Sequence, residues 1–152
     1  MAHNEEMKTA IVYVSAHHGN TKQLAEAIAA AHEVTLIDGT KEPSPDLTGF
    51  DCIGFASGIA YGKFYPQMQK LMESALPENK KVFFLYTCGA MRKGYTSAAA
   101  ETARRKNCTV LGEYGCLGFD TFGPFKLIGG LAKGHPTAEE TAAAVKFFEE
   151  TV

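Results

Sequence analysis

A short polar loop near the amino terminus has the residue types that bind a phosphate group. Residues 15–21 run directly from an apolar stretch into a segment with helical spacing. A helix N-terminus presents unpaired N–H groups and a partial positive charge, and a glycine allows close approach of the backbone. Neither G-x-G-x-x-G nor G-x-x-x-x-G-K-[ST] is present, which disfavours dinucleotide and nucleoside-triphosphate loops. The candidate ligands are Ser15, His17, His18, Gly19, Asn20 and Thr21.

The elements that must position this loop form a regular alternation along the chain. Five runs rich in Val, Ile, Phe or Tyr cover residues 10–14, 34–37, 52–56, 82–86 and 110–117. Because they are almost continuously apolar, they are typical of strands buried on both faces of a parallel sheet. Helical spacing predicts helices after the first, third, fourth and fifth runs, and the last helix begins with a capping box, T-A-E-E at 137–140. The link 38–51 contains Pro43, Pro45 and Gly49, so it holds at most a short helical turn.

These elements predict an open, doubly wound α/β sheet of five parallel strands with right-handed crossovers. In such sheets a ligand binds at the carboxyl ends of the strands, beside the point where the strand order reverses. The chain has 152 residues, about the length of one domain. We therefore expect a single domain over residues 1–152, with its function in the loops that follow the strands.

The first loop and the segments after it resemble the flavodoxin family. The sequence IVYVS at 11–15, followed by GNT at 19–21, is similar to the flavodoxin phosphate loop, an apolar strand followed by S/T-x-T-G-N-T. Residues 34–38, 46–51 and 53–58 follow the family's path through strands two and three. The resemblance covers nearly the whole chain. It implies a flavodoxin-like three-layer sandwich with sheet order 2-1-3-4-5 and a single FMN-binding domain.

Two departures from the family pattern concern the phosphate ligands. The loop has one residue more between the strand tyrosine and the glycine, and His18 stands where a threonine is usual. An imidazole can donate a hydrogen bond to phosphate, so either His17 or His18 is a candidate donor. The other interpretation of this loop is that Asn20 and Thr21 only cap the helix.

The resemblance implies that the loop after the third strand meets the flavin ring. Glycine there lets flavodoxins turn a peptide carbonyl towards the flavin, and both Gly58 and Gly62 are candidates. We expect Tyr61 to stack on the ring, with Phe64 and Tyr65 as alternatives; packing of these aromatics onto the next helix is the other interpretation. The segment also resembles flavodoxin-like protoporphyrinogen oxidases. The predicted ligands are Ser57, Gly58, Ile59, Ala60, Tyr61 and Gly62.

The loop after the fourth strand supplies Thr87, Cys88 and Gly89, whose neighbouring backbone N–H groups would reach the flavin edge by the same resemblance. No His or second Cys adjoins Cys88 in sequence, so we expect it to line the pocket rather than to act as a nucleophile. We predict no catalytic side chain and no metal site.

The long loop 118–134 combines glycines with aromatic residues. Loops of this length are usually functional or mobile. Phe119, Phe122 and Phe125 either cover the flavin, receive a partner or pack onto the domain.

Composition excludes several classes of protein. With 15 Lys plus Arg against 17 Asp plus Glu, the formal charge is −2, so the basic excess of a nucleic-acid binder is missing. No apolar run approaches the roughly 20 residues that span a bilayer. The four cysteines form no C-x-x-C pair, and the first eight residues lack the apolar core of a signal peptide. We expect a cytoplasmic protein.

The loops after the last three strands carry more cations than acids. The acid is Asp120, and the cations are Lys63, Arg92, Lys93, Lys126 and Lys133. Flavodoxin carriers commonly have an acidic rim, so this rim favours redox partner proteins with an acidic surface, or an anionic small-molecule substrate.

Two functions remain open from the sequence. The first is an FMN electron carrier between redox proteins. The second is an FMN-dependent oxidoreductase, such as an NAD(P)H quinone reductase or a protoporphyrinogen oxidase-like enzyme. A phosphoryl-accepting receiver is disfavoured, because His17, His18 and Ser57 stand where it needs acidic residues. A flavin-free interaction domain is the remaining alternative.

Overall fold

A computed structural model describes residues 7–15, 19–119 and 132–152. The strands in this part of the chain are β1 (Thr9–Val14), β2 (Thr35–Asp38), β3 (Cys52–Ala60), β4 (Lys63–Phe64), β5 (Lys81–Cys88) and β6 (Thr109–Leu117). The helices are α1 (Asn20–Ala31), α2 (Pro66–Ala75), α3 (Ser97–Arg105) and α4 (Ala138–Thr151). The link between β2 and β3 contains turns and no helix, as Pro43, Pro45 and Gly49 predict.

The five long strands form one parallel sheet in the order β2-β1-β3-β5-β6. The predicted flavodoxin-like order is therefore confirmed. The sixth strand, β4, is an addition of two residues that pairs antiparallel with the end of β3. The order reverses between β1 and β3, so the carboxyl ends of these two strands flank the expected ligand crevice.

Helices cover both faces of the sheet, which gives the three predicted layers. On one face α2 and α3 pack over a cluster that includes Phe55, Phe84 and Met72. On the other face α1 and α4 pack over Ile11, Leu24 and Phe83 among others. Each such side chain stabilises the fold by roughly 1.5–3 kcal/mol when fully buried. The two clusters pack the sheet between its helices and so set the positions of the strand ends.

Local signals fix where the helices start. Pro66 occupies the first turn of α2, where its missing N–H costs nothing. At α4 the predicted capping box is present: the Thr137 hydroxyl accepts from the Glu140 amide, and the Glu140 carboxylate accepts from the Thr137 amide at 2.7 Å. Within the described residues, no helix has the length and apolar character needed to cross a membrane.

Candidate functional site

The candidate site lies where β1, β3, β5 and β6 end, at one edge of the sheet. Val14 pairs with Ser57 in the register of β1 and β3. Gly58 then pairs with Thr87, and Thr87 with Cys116, across β5 to β6. The predicted phosphate loop and the two predicted flavin loops therefore follow neighbouring strands, as the sequence predicts.

The first loop leads into α1 through a left-handed glycine. Gly19 has φ 66° and ψ 28°, a conformation that costs little only for glycine, and it has no side chain with which to cap the helix. The Ser15 Oγ accepts a hydrogen bond of 3.3 Å from the Lys22 amide. The first turn of α1 thus faces the site with backbone N–H groups, which suit an anion. His17 and His18 lie outside the described residues.

The side chains of Asn20 and Thr21 do not cap α1. Both are buried. Asn20 Nδ2 donates 2.7 Å to the carbonyl of Phe119, and the Thr21 hydroxyl lies 2.8 Å from the hydroxyl of Thr87. The interpretation of these two residues as simple helix caps is therefore wrong. They connect the first turn of α1 to the end of β5 and to Phe119, just beyond β6.

The segment after the third predicted strand is a β-hairpin rather than a loop. β3 continues through Ser57, Gly58, Ile59 and Ala60, and Ala60 then pairs with Lys63. The two residues between them, Tyr61 and Gly62, have φ of 54° and 80°, the positive pair found in type I′ hairpin turns. Tyr61 at the tip is 88% exposed. A rigid turn thus presents an aromatic ring beside the sheet edge.

The other aromatic residues of this hairpin are packed against the protein. Phe64 is buried edge-to-face on Phe84, with ring centroids 5.8 Å apart. A β-carbon at Gly58 would run into the ring of Tyr65. Gly58 is therefore required for space, and the positive φ of the segment lies at Tyr61 and Gly62 instead. Of the three aromatic candidates, Tyr61 is by far the most exposed.

The last residue of β5, where the next loop starts, is a buried cysteine. Cys88 is 5% exposed, and its thiol lies 3.3 Å from Met91 Sδ and 3.6 Å from the carbonyl of Cys116. Burial, with smaller effects from Glu140 and Cys88, raises the pKa of Cys116 to about 12, so this thiol stays protonated. Thr87 is buried and Gly89 is partly exposed. None of the four cysteines forms a disulfide bond.

Part of the last loop reaches back to the same edge. Gly118 donates 2.9 Å to the carbonyl of Cys88, and Phe119 donates 2.9 Å to the carbonyl of His135. His135 Nδ1 lies 2.6 Å from Glu140 Oε1, next to the capping box of α4. Phe122 and Phe125 lie outside the described residues. Sequence reasoning missed the role of Gly118, because its partners are remote along the chain.

Exposed cations occur in the described parts of the loops that follow the last strands of the sheet. Lys63, Arg92, Lys93 and Lys133 are all exposed, while Lys126 and Asp120 lie outside the described residues. Next to Arg92 and Lys93 is a depression of about 450 Å³ that is floored by Tyr86 and bordered by Glu113. Burial, followed by the charge of Glu113, raises the pKa of Tyr86 to about 12, so its hydroxyl remains a neutral donor.

Metal chemistry has no visible support in the described part of the site. Across residues 7–15, 19–119 and 132–152, no three His, Cys, Asp or Glu side chains come close enough to hold a metal ion. At this edge of the sheet, the described residues include the N-terminus of α1, whose backbone N–H groups suit an anion, and the exposed aromatic ring of Tyr61.

Known proteins are similar to this chain in sequence and in fold. A family model of the flavodoxin domain matches residues 10–112. The uncharacterized protein MJ0298 of Methanocaldococcus jannaschii is 34% identical over 143 residues, 93% of this chain and 95% of that protein. A flavodoxin from the domain Archaea superposes with a TM-score of 0.64 at 21% identity, over 95% of this chain and 99% of its own. A flavoprotein from Lactobacillus acidophilus, in complex with FMN, gives 0.56 at 20% identity, over 73% and 93%.

Proposed function

The chain belongs to the flavodoxin family, and on that basis we propose that it is a single FMN-binding domain that shuttles electrons between redox partners. One observation carries the proposal: the glycine-led N-terminus of α1, with the backbone N–H groups of its first turn, and the exposed Tyr61 ring share one edge of the sheet. FMN has a phosphate at one end and a planar ring at the other. The Lactobacillus acidophilus flavoprotein with the same fold was solved with FMN.

The residues present fit this cofactor. The backbone N–H groups of the first turn of α1 would hold the phosphate, together with Ser15 and either His17 or His18. Tyr61 would stack on the ring, while Gly62 and the backbone of residues 87–89 would meet its edge. When bound, FMN supplies one-electron and two-electron redox chemistry. The chain's own task is to hold the cofactor and to keep one edge of its ring accessible.

The carrier function is favoured because electron transfer requires no acid, base or nucleophile. The thiol nearest the site, Cys88, is buried in the apolar core rather than directed at solvent. Four buried cysteines that form no disulfide bonds also support a reducing, cytoplasmic location. Electrons would leave the bound flavin through the exposed edge of its ring and pass to a second protein.

We expect that partner to have an acidic surface. In the described part of the chain, Tyr61 and Met91 are the exposed large apolar side chains, at 88% and 52%. Arg92 and Lys93 directly follow Met91, and Lys63 follows the hairpin turn. An apolar contact bordered by cations is complementary to an apolar patch bordered by carboxylates, and the charges would speed association.

The test uses two oxidants of opposite charge. The FMN-loaded protein is reduced with dithionite, and its reoxidation by ferricyanide, an anion, and by tris(phenanthroline)cobalt(III), a cation, is followed by stopped flow. We expect the ferricyanide rate to fall as ionic strength rises, and the charge reversals Arg92→Glu and Lys93→Glu to slow it further. Lys146→Glu, on the exposed face of α4, is the matched control. A rate that neither salt nor these reversals change would contradict the cationic docking surface.

A further inference from the structure

Two consecutive residues after β6 connect three loops of the site. The Gly118 amide donates to the carbonyl of Cys88, at the end of β5. The Phe119 carbonyl accepts from Asn20 Nδ2 at 2.7 Å, and Asn20 is the first residue of α1. The Phe119 amide donates 2.9 Å to the carbonyl of His135, just ahead of α4. We call residues 118–119 the clasp.

The contacts of the clasp require that residue 118 has no side chain. A β-carbon at Gly118 would lie 2.8 Å from Asn20 Nδ2, 2.9 Å from Thr87 Cβ and 3.0 Å from Asn20 Cβ. Gly118 is not among the glycines with positive φ, so space and not backbone conformation requires a glycine here. Any larger residue would push apart the first turn of α1 and the end of β5.

We propose that Gly118 and Asn20 are positioning residues for the cofactor: by fitting against each other, they fix the phosphate loop relative to the loop that meets the flavin edge. This proposal rests on the proposed function, because it concerns the same FMN site. The Asn20 amide donates to the Phe119 carbonyl, and through this hydrogen bond it holds the start of α1 against the residues that follow β6. Thr21 and Thr87 form the second link between the same two loops.

The proposal predicts different effects of a mutation on the binding of the two ends of the cofactor. Riboflavin has the ring of FMN but no phosphate. If the clasp fixes the phosphate loop against the ring site, a misplaced loop weakens FMN binding more than riboflavin binding. A mutation that merely destabilises the fold would weaken both to the same extent.

The experiment measures dissociation constants of FMN and riboflavin for the full chain by quenching of flavin fluorescence. We expect Gly118→Ala to weaken FMN binding by about tenfold or more, which corresponds to about 1.4 kcal/mol, and riboflavin binding much less. Gly49→Ala is the matched control, because a β-carbon at Gly49 has nothing within 4 Å. Urea unfolding of each variant reports whether the fold is retained.

A second variant keeps the test decisive if Gly118→Ala does not fold. Asn20→Ala removes the amide nitrogen that would lie 2.8 Å from a β-carbon at position 118, while the β-carbons of residues 20 and 87 stay, so the double variant Gly118→Ala with Asn20→Ala relieves part of the crowding. We expect the loss of FMN affinity in the double variant to be smaller than the sum of the losses in the two single variants, which is non-additivity for residues in contact. Additive losses, or equal losses of FMN and riboflavin affinity, would overturn the clasp proposal alone. A wild-type protein that binds neither flavin would overturn the proposed function, and the clasp proposal with it.

Discussion

The hydroxyl groups of Thr21 and Thr87 lie 2.8 Å apart in the interior of the protein, although 66 positions separate them in the chain. Thr21 is in the first turn of α1, and Thr87 is next to the last residue of β5. The contact therefore joins the predicted phosphate loop to the predicted flavin loop beneath the surface of the site. Its value can be measured, because valine has nearly the same shape as threonine without the hydroxyl.

Thr21→Val and Thr87→Val should each lower the free energy of unfolding by about 1–3 kcal/mol, because each leaves a buried hydroxyl without its partner. The double variant should cost less than the sum, since it leaves neither hydroxyl unpaired. Urea denaturation of the two single variants and the double variant gives the coupling energy. A coupling energy of zero would show that the two hydroxyls do not stabilise one another.

Tyr61→Asn should separate the stability of the hairpin from cofactor binding. The left-handed backbone conformation is destabilising for tyrosine by about 1 kcal/mol. Asparagine tolerates this conformation and suits the first position of a type I′ turn before glycine. We expect the apoprotein to gain up to about 1 kcal/mol of stability, while FMN affinity falls about 2- to 10-fold from the loss of ring stacking.

The matched variant for that experiment is Tyr61→Phe, which retains the ring and should keep FMN affinity near that of the unaltered protein. Fluorescence quenching gives the affinities, and urea unfolding gives the stabilities. Unchanged FMN affinity in Tyr61→Asn would show that Tyr61 does not stack on the flavin.

Glu140 should make the stability of the protein depend on pH. Burial raises its pKa, but hydrogen bonds from His135 and Thr137 outweigh this and hold the pKa below its ordinary value of 4.5. A carboxyl whose pKa is lower in the folded state stabilises the fold above its unfolded pKa, and this contribution is lost as pH falls through the folded pKa. Glu140→Gln should therefore lower the free energy of unfolding at pH 7 by about 1 kcal/mol, and this loss should become smaller as the pH falls below 4.5.

The control for this prediction is Glu139→Gln, since Glu139 is exposed in the same first turn of α4 and lies outside the capping box. Urea unfolding of both variants from pH 3 to pH 7 provides the comparison. Parallel pH profiles for the two variants would contradict a special role for Glu140.

The sheet and its helices could be predicted from the sequence because they follow from local periodicity. The apolar runs predicted the five parallel strands to within a few residues, and T-A-E-E predicted the start of α4. The hairpin at residues 57–65 was missed, because Ser57 and Gly58 are typical of loops and Tyr-Gly is a weak turn signal. Only the pairing of Ile59 with Phe64 and of Ala60 with Lys63 identifies β4 as a strand.

The site could be predicted in outline but not in its connections. The family resemblance predicts which loops would bind the cofactor, and the sheet order shows that the strands before these loops are neighbours. The contact between Asn20 and Phe119 spans 99 positions, so no local pattern reports it. Likewise, the need for glycine at Gly118 comes from the side chains of Asn20 and Thr87, which approach it only after folding.

The central claim, an FMN-binding electron carrier, is tested most directly by the visible absorption spectrum. The protein is mixed with FMN, freed of excess by gel filtration and then reduced stepwise without oxygen. We predict flavin absorption that co-elutes with the protein in about equal molar amount and a reduction that resolves into two one-electron steps. Retained flavin that is reduced in a single two-electron step, with rapid turnover of NAD(P)H or a quinone, would indicate an oxidoreductase instead. A protein that retains no flavin would contradict the claim altogether.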